Sequence, residues 1–128
     1  MRMKLDSVDL HIHTCFSDGT CSVGEVVDTS RAKGLGTFAI TDHYSEFSDL
    51  PPRMPKEQFV SYLSALDHAG VIKGVEVDVL TDGVSITAQS TKLCDLVLGG
   101  LHMLQGIIFW SDYRPILNPA SFVENVRV

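Results

Sequence analysis

The stretch DLHIHTCFSDG, residues 9–19, combines a strand-like alternation of polar and apolar side chains with an abrupt turn. Successive side chains of a β-strand point to opposite faces, so the alternation predicts one apolar face and one polar face. The apolar face would carry Val8, Leu10 and Ile12, and the polar face Asp9, His11 and His13. The polar face therefore consists only of groups that titrate or bind metals.

The composition is that of a globular domain. The chain has 128 residues, of which 45% are apolar and 20% charged, so we expect one domain over residues 1–128. The net charge of −6 argues against double-stranded nucleic acid or an anionic membrane as a partner and favours a small molecule. No stretch has the length of a membrane span or the apolar core of a secretory signal. Three cysteines without C-x-x-C spacing are typical of reduced thiols, so we expect a cytoplasmic location.

Strand and helix patterns alternate along the rest of the chain. Helices are predicted over 22–34, 55–70, 85–93 and, weakly, after Pro119. Strands are predicted over 37–43, 71–80 and 94–103, the last as a nearly continuous apolar run typical of a strand buried on both faces. The polar, proline-bearing segment 44–56 is predicted to be a lid or binding loop. About four βα units result, which predicts an α/β fold with mostly parallel strands.

Candidate metal ligands lie at or near the C-terminal end of each predicted strand. They are His11 and His13, Asp42 and His43, Glu76, and His102. In parallel α/β folds these strand ends lie together and carry the ligand site, so four distant segments are expected to meet at one rim. Any one of these residues alone is more often ordinary surface polarity, and the regular spacing of about one βα unit is what favours a site.

The residue types suit divalent cations. Neutral imidazoles and carboxylates bind Zn²⁺, Mn²⁺ or Fe²⁺, and Glu76 is predicted to bridge two ions that polarise a phosphoryl oxygen and supply hydroxide. Asp18, on the Ser-Asp-Gly turn, can reach a further ion, and Asp9 can orient a ligating histidine. Arg53 and Arg114 are candidates to grip a phosphate, although each is more simply read as surface. Cys15 is expected to be a packed small side chain, and Trp110 and Tyr113 core or interface anchors.

Four motifs in order resemble the PHP (polymerase and histidinol phosphatase) family of metal-dependent phosphoesterases. They are DLHIHTCFSDG, AITDH, GVEVDV and GGLHM, which together span roughly residues 6–103. The resemblance implies a partial, distorted (βα)7-type barrel with about four βα units here. It also implies up to three metal ions at the C-terminal face of the strands and hydrolysis of a small phosphate ester, such as a phosphorylated metabolite or nucleotide.

The resemblance also implies roles for single residues. His11 and His13 would hold a first ion, Glu76 would bridge it to a second that His102 binds, and Asp18 and His43 would serve a third. Glu76, Asp18 and His43 would be the catalytic residues. Asp42 would support its neighbour His43.

The chain departs from the family pattern in its C-terminal part. Family members are longer and supply a late histidine and an Asp-x-His pair, whereas no histidine follows His102 here. The chain is therefore expected to be the N-terminal portion of the family barrel, with an open sheet edge. A second copy, the missing C-terminal half or the chain's own tail would cover that edge.

Two other functions remain open. One is a truncated or degenerate PHP module that binds metal or a partner without turnover. The other is a metal-dependent amidohydrolase, which also uses H-x-H on a barrel strand but whose late aspartate and lysine features are absent.

Overall fold

The computed structural model describes residues 7–48, 51–104 and 107–108. The predicted helix after Pro119, together with Trp110, Tyr113 and Arg114, lies outside these residues. The strands are β1 (Val8–Ile12), β2 (Thr37–Ile40), β3 (His43–Tyr44), β4 (Ile72–Leu80), β5 (Gly83–Val84), β6 (Leu96–Gly100), β7 (Met103–Leu104) and β8 (Ile107–Ile108). The helices are α1 (Val23–Ala32), α2 (Phe59–Ala69), α3 (Ala88–Thr91) and a 3-10 helix, Lys56–Gln58.

Strand β4 is the centre of a parallel sheet. It pairs in parallel with β2 and β3 on one side and with β6 on the other, and β1 pairs in parallel with β2. The pairs Ala39–Ile72 and His43–Glu76 share one register, so β2 and β3 continue a single strand direction across Thr41 and Asp42. The parallel strands and alternating helices form a curled half-barrel, which confirms the predicted partial α/β barrel.

Helices α1 and α2 cover one face of this sheet. Ser22 and Glu25 form the predicted capping box at the start of α1, and Gly70 ends α2 in the left-handed conformation, with φ of 68°. The helices and the sheet form a single core, whose buried members include Val26, Val27, Phe38, Ile40, Phe59, Tyr62, Leu63, Leu66, Val75 and Val77. Each large apolar side chain that is fully buried there contributes about 1.5–3 kcal/mol. This core holds the strand ends in place.

Strict alternation in β1 was wrong. The register advances three residues in β1, from Asp9 to Ile12, against two in β2, so β1 contains one extra residue. Such a bulge breaks the period of two and re-aims side chains. Ile12 packs against the core, whereas Leu10 is 42% exposed.

Three further expectations were wrong. Strand β6 is only partly buried, because β4 is its one neighbour among the described strands. Cys15 lies exposed in the loop after β1 rather than packed. Arg53 is buried rather than on the surface, because a carboxylate on β4 pairs with it.

Cys15, Cys21 and Cys94 are all free thiols. Among the described residues, no helix has both the length and the apolar character that a membrane crossing requires.

Candidate metal centre

Glu76 is the centre of a cluster at the C-terminal rim of the sheet. Its Oε2 lies 2.9 Å from Nε2 of His11, 3.0 Å from Nε2 of His13 and 3.4 Å from Nδ1 of His43. Its Oε1 lies 2.8 Å from Nε2 of His102. His11 lies within β1 and His13 just after it, His43 begins β3, Glu76 lies in the middle of β4, and His102 follows β6 by two residues. One carboxylate therefore faces four imidazoles.

Asp18 supplies the second carboxylate of the cluster. Its Oδ1 lies 2.7 Å from Nδ1 of His13, and its Oδ2 lies 3.3 Å from Nε2 of His43. His13 and His43 therefore each direct one ring nitrogen toward Glu76 and the other toward Asp18. The side chain of Asp18 is 45% exposed and that of Glu76 only 8%, so Asp18 is the carboxylate open to solvent.

All six predicted ligands are thus brought together, in three overlapping groups. Within each group the ligand atoms lie within 4.8 Å of one another, and the groups are His11, His13 and Glu76; His13, Asp18 and His43; and His43, Glu76 and His102. Glu76 belongs to two groups, as expected of a bridging ligand. The structure adds His13 to the Asp18 group and His43 to the His102 group. The metal-binding and catalytic roles of these residues stay predictions.

The surroundings set the charges of the cluster. Burial raises the pKa of Glu76, but its hydrogen bond with His11 and the nearby His43 and His102 outweigh burial and hold the pKa below its ordinary value. The pKa of Asp18 is lowered in the same way, against burial, by His13 and His43. Burial is the largest influence on His43 and lowers its pKa. Ionised carboxylates beside a neutral His43 are the forms that bind a cation.

Asp42 positions the loop that carries Asp18. It is fully buried, and its carboxylate accepts hydrogen bonds from the backbone N–H of Thr14 at 2.7 Å, the hydroxyl of Thr14 at 2.7 Å and the hydroxyl of Ser17 at 2.6 Å. Its own backbone N–H donates to the hydroxyl of Tyr62 at 3.1 Å. Asp42 therefore supports the cluster by holding the loop after β1, rather than by contacting the ring of His43.

Asp9 acts on the backbone of β1. Its Oδ1 accepts a hydrogen bond from the backbone N–H of His11 at 3.1 Å. The expectation that Asp9 orients a histidine ring is replaced by this contact with the main chain.

Sequence reasoning missed Asp78 and underrated Arg53. Asp78 lies two residues after Glu76 on β4, and its carboxylate contacts both Arg53 and His102. The signal was present, because residues i and i+2 of a strand share a face and Glu76 was already a predicted ligand. No feature of the sequence indicated that Arg53 would be the partner.

The chain is similar to several known proteins. The PHP domain matches residues 9–124. The chain is 32% identical over 123 residues to "Probable phosphatase PMI1003" of Proteus mirabilis, covering 94% of this chain and 46% of the relative. It is 29% identical over 98 residues to "Probable phosphatase YcdX" of Escherichia coli, covering 74% and 40%.

A third relative has a different name. "DNA polymerase/3'-5' exonuclease PolX" of Bacillus subtilis is 29% identical over 102 residues, covering 73% of this chain and 18% of the relative. The chain spans less than half the length of each of these relatives. The family match over most of the chain shows that this protein belongs to the PHP domain family.

Proposed function

We propose that this chain forms the metal-binding rim of a divalent-metal phosphoesterase that hydrolyses a small phosphate ester. The observation that carries the proposal is the carboxylate of Glu76, which two groups of imidazoles share. Family membership and the names of two relatives support phosphoester hydrolysis at the level of the family. The net charge of −6 favours a small phosphorylated substrate over nucleic acid. The free thiols agree with a cytoplasmic location.

The donor atoms fit a cation. Nε2 of His11 and Nε2 of His13 lie 3.1 Å apart, and both face Oε2 of Glu76. A neutral imidazole carries one N–H, and a proton on Nδ1 of His13 serves the carboxylate of Asp18 at 2.7 Å. Nε2 of His13 then directs a lone pair at an ionised oxygen, which is unfavourable unless a positive charge lies between them. The mixed nitrogen and oxygen donors suit Zn²⁺, Mn²⁺ or Fe²⁺, up to three in number.

The residues of the cluster divide the work. His11, His13 and Glu76 would hold one ion, Glu76 and His102 a second, and Asp18 and His43 a third. A bound divalent ion polarises a phosphoryl oxygen and activates water. Glu76 would hold the two groups that share it at a fixed distance from each other. The exposed, ionised Asp18 is placed to accept a proton at Oδ1 or Oδ2. A neutral His43, whose ring nitrogens lie 3.4 Å from Oε2 of Glu76 and 3.3 Å from Oδ2 of Asp18, would donate its single N–H to one carboxylate and offer the other nitrogen to an ion.

Glu76→Ala tests the proposal. We expect the wild-type chain to retain zinc or manganese after dialysis and to hydrolyse p-nitrophenyl phosphate, and we expect Glu76→Ala to lose metal and rate together. Elemental analysis and the release of nitrophenolate measure the two quantities. Asp82→Asn, an exposed aspartate in the turn after β4, is the matched control. Unchanged metal content and rate in Glu76→Ala, with native circular dichroism, would contradict the proposal.

A binding module without turnover is the second candidate. It rests on the same donor groups, which would bind an ion whether or not a phosphate ester is hydrolysed. Wild-type protein that binds metal but hydrolyses no phosphate ester would favour this function.

The edges of the half-barrel suggest a partner. Strands β1 and β6 each pair with one described strand, and Leu10 and Leu101 near them are 42% and 40% exposed. Unpaired edges recruit further strands. We propose that a second copy of this chain, or polypeptide equivalent to the rest of the longer relatives, covers them. A dimer in sedimentation velocity would favour the second copy, and a monomer the other source.

A further inference from the structure

Asp78 lies on the same face of β4 as Glu76, between a buried arginine and a candidate metal ligand. We propose that Asp78, clamped by Arg53, is a positioning residue that holds the ring of His102 with its N–H at Nδ1 and its lone pair at Nε2. The metal-binding consequence of this inference rests on the proposed function, whereas the state of the ring does not. Neither the family match nor the names of the relatives assign a role to Asp78 or Arg53.

The clamp is rigid. Nε of Arg53 donates to Oδ2 of Asp78 at 2.7 Å, and Nη2 donates to Oδ1 at 2.7 Å. The two side chains are only 3% and 4% exposed. A planar guanidinium that binds both oxygens fixes the orientation of the carboxylate as well as its position. Lysine cannot replace this fork.

The backbone of Asp78 is held as well. Its N–H donates to the hydroxyl of Ser85 at 2.8 Å, and its carbonyl accepts from the N–H of Ser85 at 2.9 Å. Ser85 follows the short hairpin of β4 and β5. Side chain and main chain of Asp78 are therefore both fixed before any ligand arrives.

This fixed carboxylate faces the ring of His102. Oδ1 of Asp78 lies 2.9 Å from Nδ1, and Oε1 of Glu76 lies 2.8 Å from Nε2. Both carboxylates can only accept hydrogen bonds when ionised, and a neutral ring carries a single N–H. The two carboxylates therefore compete for that N–H.

The surroundings favour Asp78 in this competition. Glu76 has three further imidazoles, those of His11, His13 and His43, within 3.4 Å of its Oε2. Among the described residues, His102 is the imidazole in contact with Asp78. A ring with its N–H on Nδ1 donates to Asp78 and presents the lone pair of Nε2 to a cation beside Glu76. The carboxylate that holds the other nitrogen of a ligating histidine sets its tautomer in this way.

The state of the ring can be read in the wild-type protein without metal. We expect long-range ¹H–¹⁵N correlation spectra of the ¹⁵N-labelled full chain, recorded with chelator near pH 8, above the ordinary imidazole pKa, to show His102 protonated at Nδ1. His102→Gln assigns the signals. A ring protonated at Nε2, or at both nitrogens, would overturn the proposal. This measurement needs no metal and no turnover, so it stands even where the phosphoesterase proposal fails.

The consequence for metal binding is tested with variants. We expect Asp78→Asn to lower the Zn²⁺ affinity about 10- to 100-fold, measured by competition with a chromophoric chelator. Because Asp78→Asn removes the carboxylate that pairs with the buried Arg53, the double variant Arg53→Met with Asp78→Asn is measured beside it, and the same loss is expected. Asp82→Asn keeps the wild-type affinity. Wild-type Zn²⁺ affinity in a folded Asp78→Asn or double variant would refute the positioning role.

Discussion

At the scale of single residues, the cluster depends on side chains that are not its ligands. Asp42 is fully buried and accepts three hydrogen bonds from the loop that carries Asp18. Gly100 lies where β6 passes the cluster, and any larger residue there meets His102 and Glu76. Asp42 therefore acts through its hydrogen bonds, and Gly100 by leaving room for the side chains of His102 and Glu76.

Two replacements of Asp42 distinguish the loss of its hydrogen bonds from the loss of its charge. We expect Asp42→Ala to lower the free energy of unfolding by about 3 kcal/mol, because hydrogen bonds to charged groups contribute more than neutral ones and their donors are left buried. We expect Asp42→Asn to cost about 1 kcal/mol, because its amide can donate to the hydroxyl of Thr14 and its oxygen can accept from Thr14 N–H and Ser17. Urea unfolding followed by circular dichroism measures both losses. Equal losses of unfolding free energy in the two variants would contradict the expectation that asparagine preserves these three hydrogen bonds.

Replacing Gly100 tests the fit of His102. A Cβ at this position would overlap Cε1 and Nε2 of His102 and would lie 2.5 Å from Oε1 of Glu76. We expect Gly100→Ala to lower Zn²⁺ affinity about tenfold or more, since small displacements of ligands weaken metal sites. Gly99→Ala is the control, because among the described residues its Cβ would approach Val79 Cγ2, at 2.9 Å, and no atom of the cluster within 4 Å. Equal Zn²⁺ affinity in the two variants would argue against a role for His102.

At the scale of elements, helix α1 is stabilised at its first turn by local contacts. The backbone N–H of Glu25 donates to Oγ of Ser22 at 3.3 Å, and the backbone N–H of Ser22 donates to Oε2 of Glu25 at 2.8 Å. These bonds satisfy donors that a helix start otherwise leaves free. They also hold the end of the loop that begins at the cluster.

Ser22→Ala removes half of this capping box. We expect it to lower the free energy of unfolding by about 1 kcal/mol, the usual cost of losing an N-cap side chain. Ser64→Ala, an exposed serine within α2, should change stability by less than about 0.5 kcal/mol. Urea midpoints measured in parallel decide the matter. An equal effect of both variants would mean that the cap adds nothing.

At the scale of the whole molecule, the rim gathers ionisable groups whose pKa values are lower in the folded protein than in the unfolded chain. The folded pKa values of Asp18, Glu76 and Asp78 lie below their ordinary values, and for Asp78 the hydrogen bond from Arg53 is the largest influence that opposes burial. The pKa of His43 also lies below its ordinary value of 6.5, chiefly through burial. All four groups therefore hold fewer protons when folded than when unfolded.

We expect the metal-free protein to lose stability as the pH falls below neutrality. As the pH falls below about 6.5, His43 takes up a proton in the unfolded chain before it does so in the folded protein. The carboxyl groups do the same below about pH 4.5. Protonation therefore favours the unfolded chain in both an upper and a lower pH window. Urea midpoints between pH 7 and pH 3, with chelator present, measure the effect. His43→Gln should flatten the upper window, whereas His68→Gln, an exposed position in α2, should not. A midpoint that stays constant over the whole range would contradict these pKa shifts.

Much of this protein was predictable because its signals are local or topological. The capping box at Ser22, the helical spacing of apolar residues in α2 and the stop at Gly70 act within a few residues, and each is present in the structure. The meeting of the six candidate ligands followed from a rule about parallel strands, whose C-terminal ends lie together. Neither inference required knowing which side chains touch.

The supporting contacts were decided only by tertiary packing. Asp42 contacts Thr14, and Asp78 contacts Arg53 and His102, at separations of 24 to 28 positions in the sequence. The bulge in β1 likewise depends on how β1 pairs with β2. Periodicity and caps are set by local backbone preferences, whereas the partner of a buried charge depends on sheet register and on the path of the loops. A pattern along the chain therefore located the cluster, and packing alone determined what holds it in place.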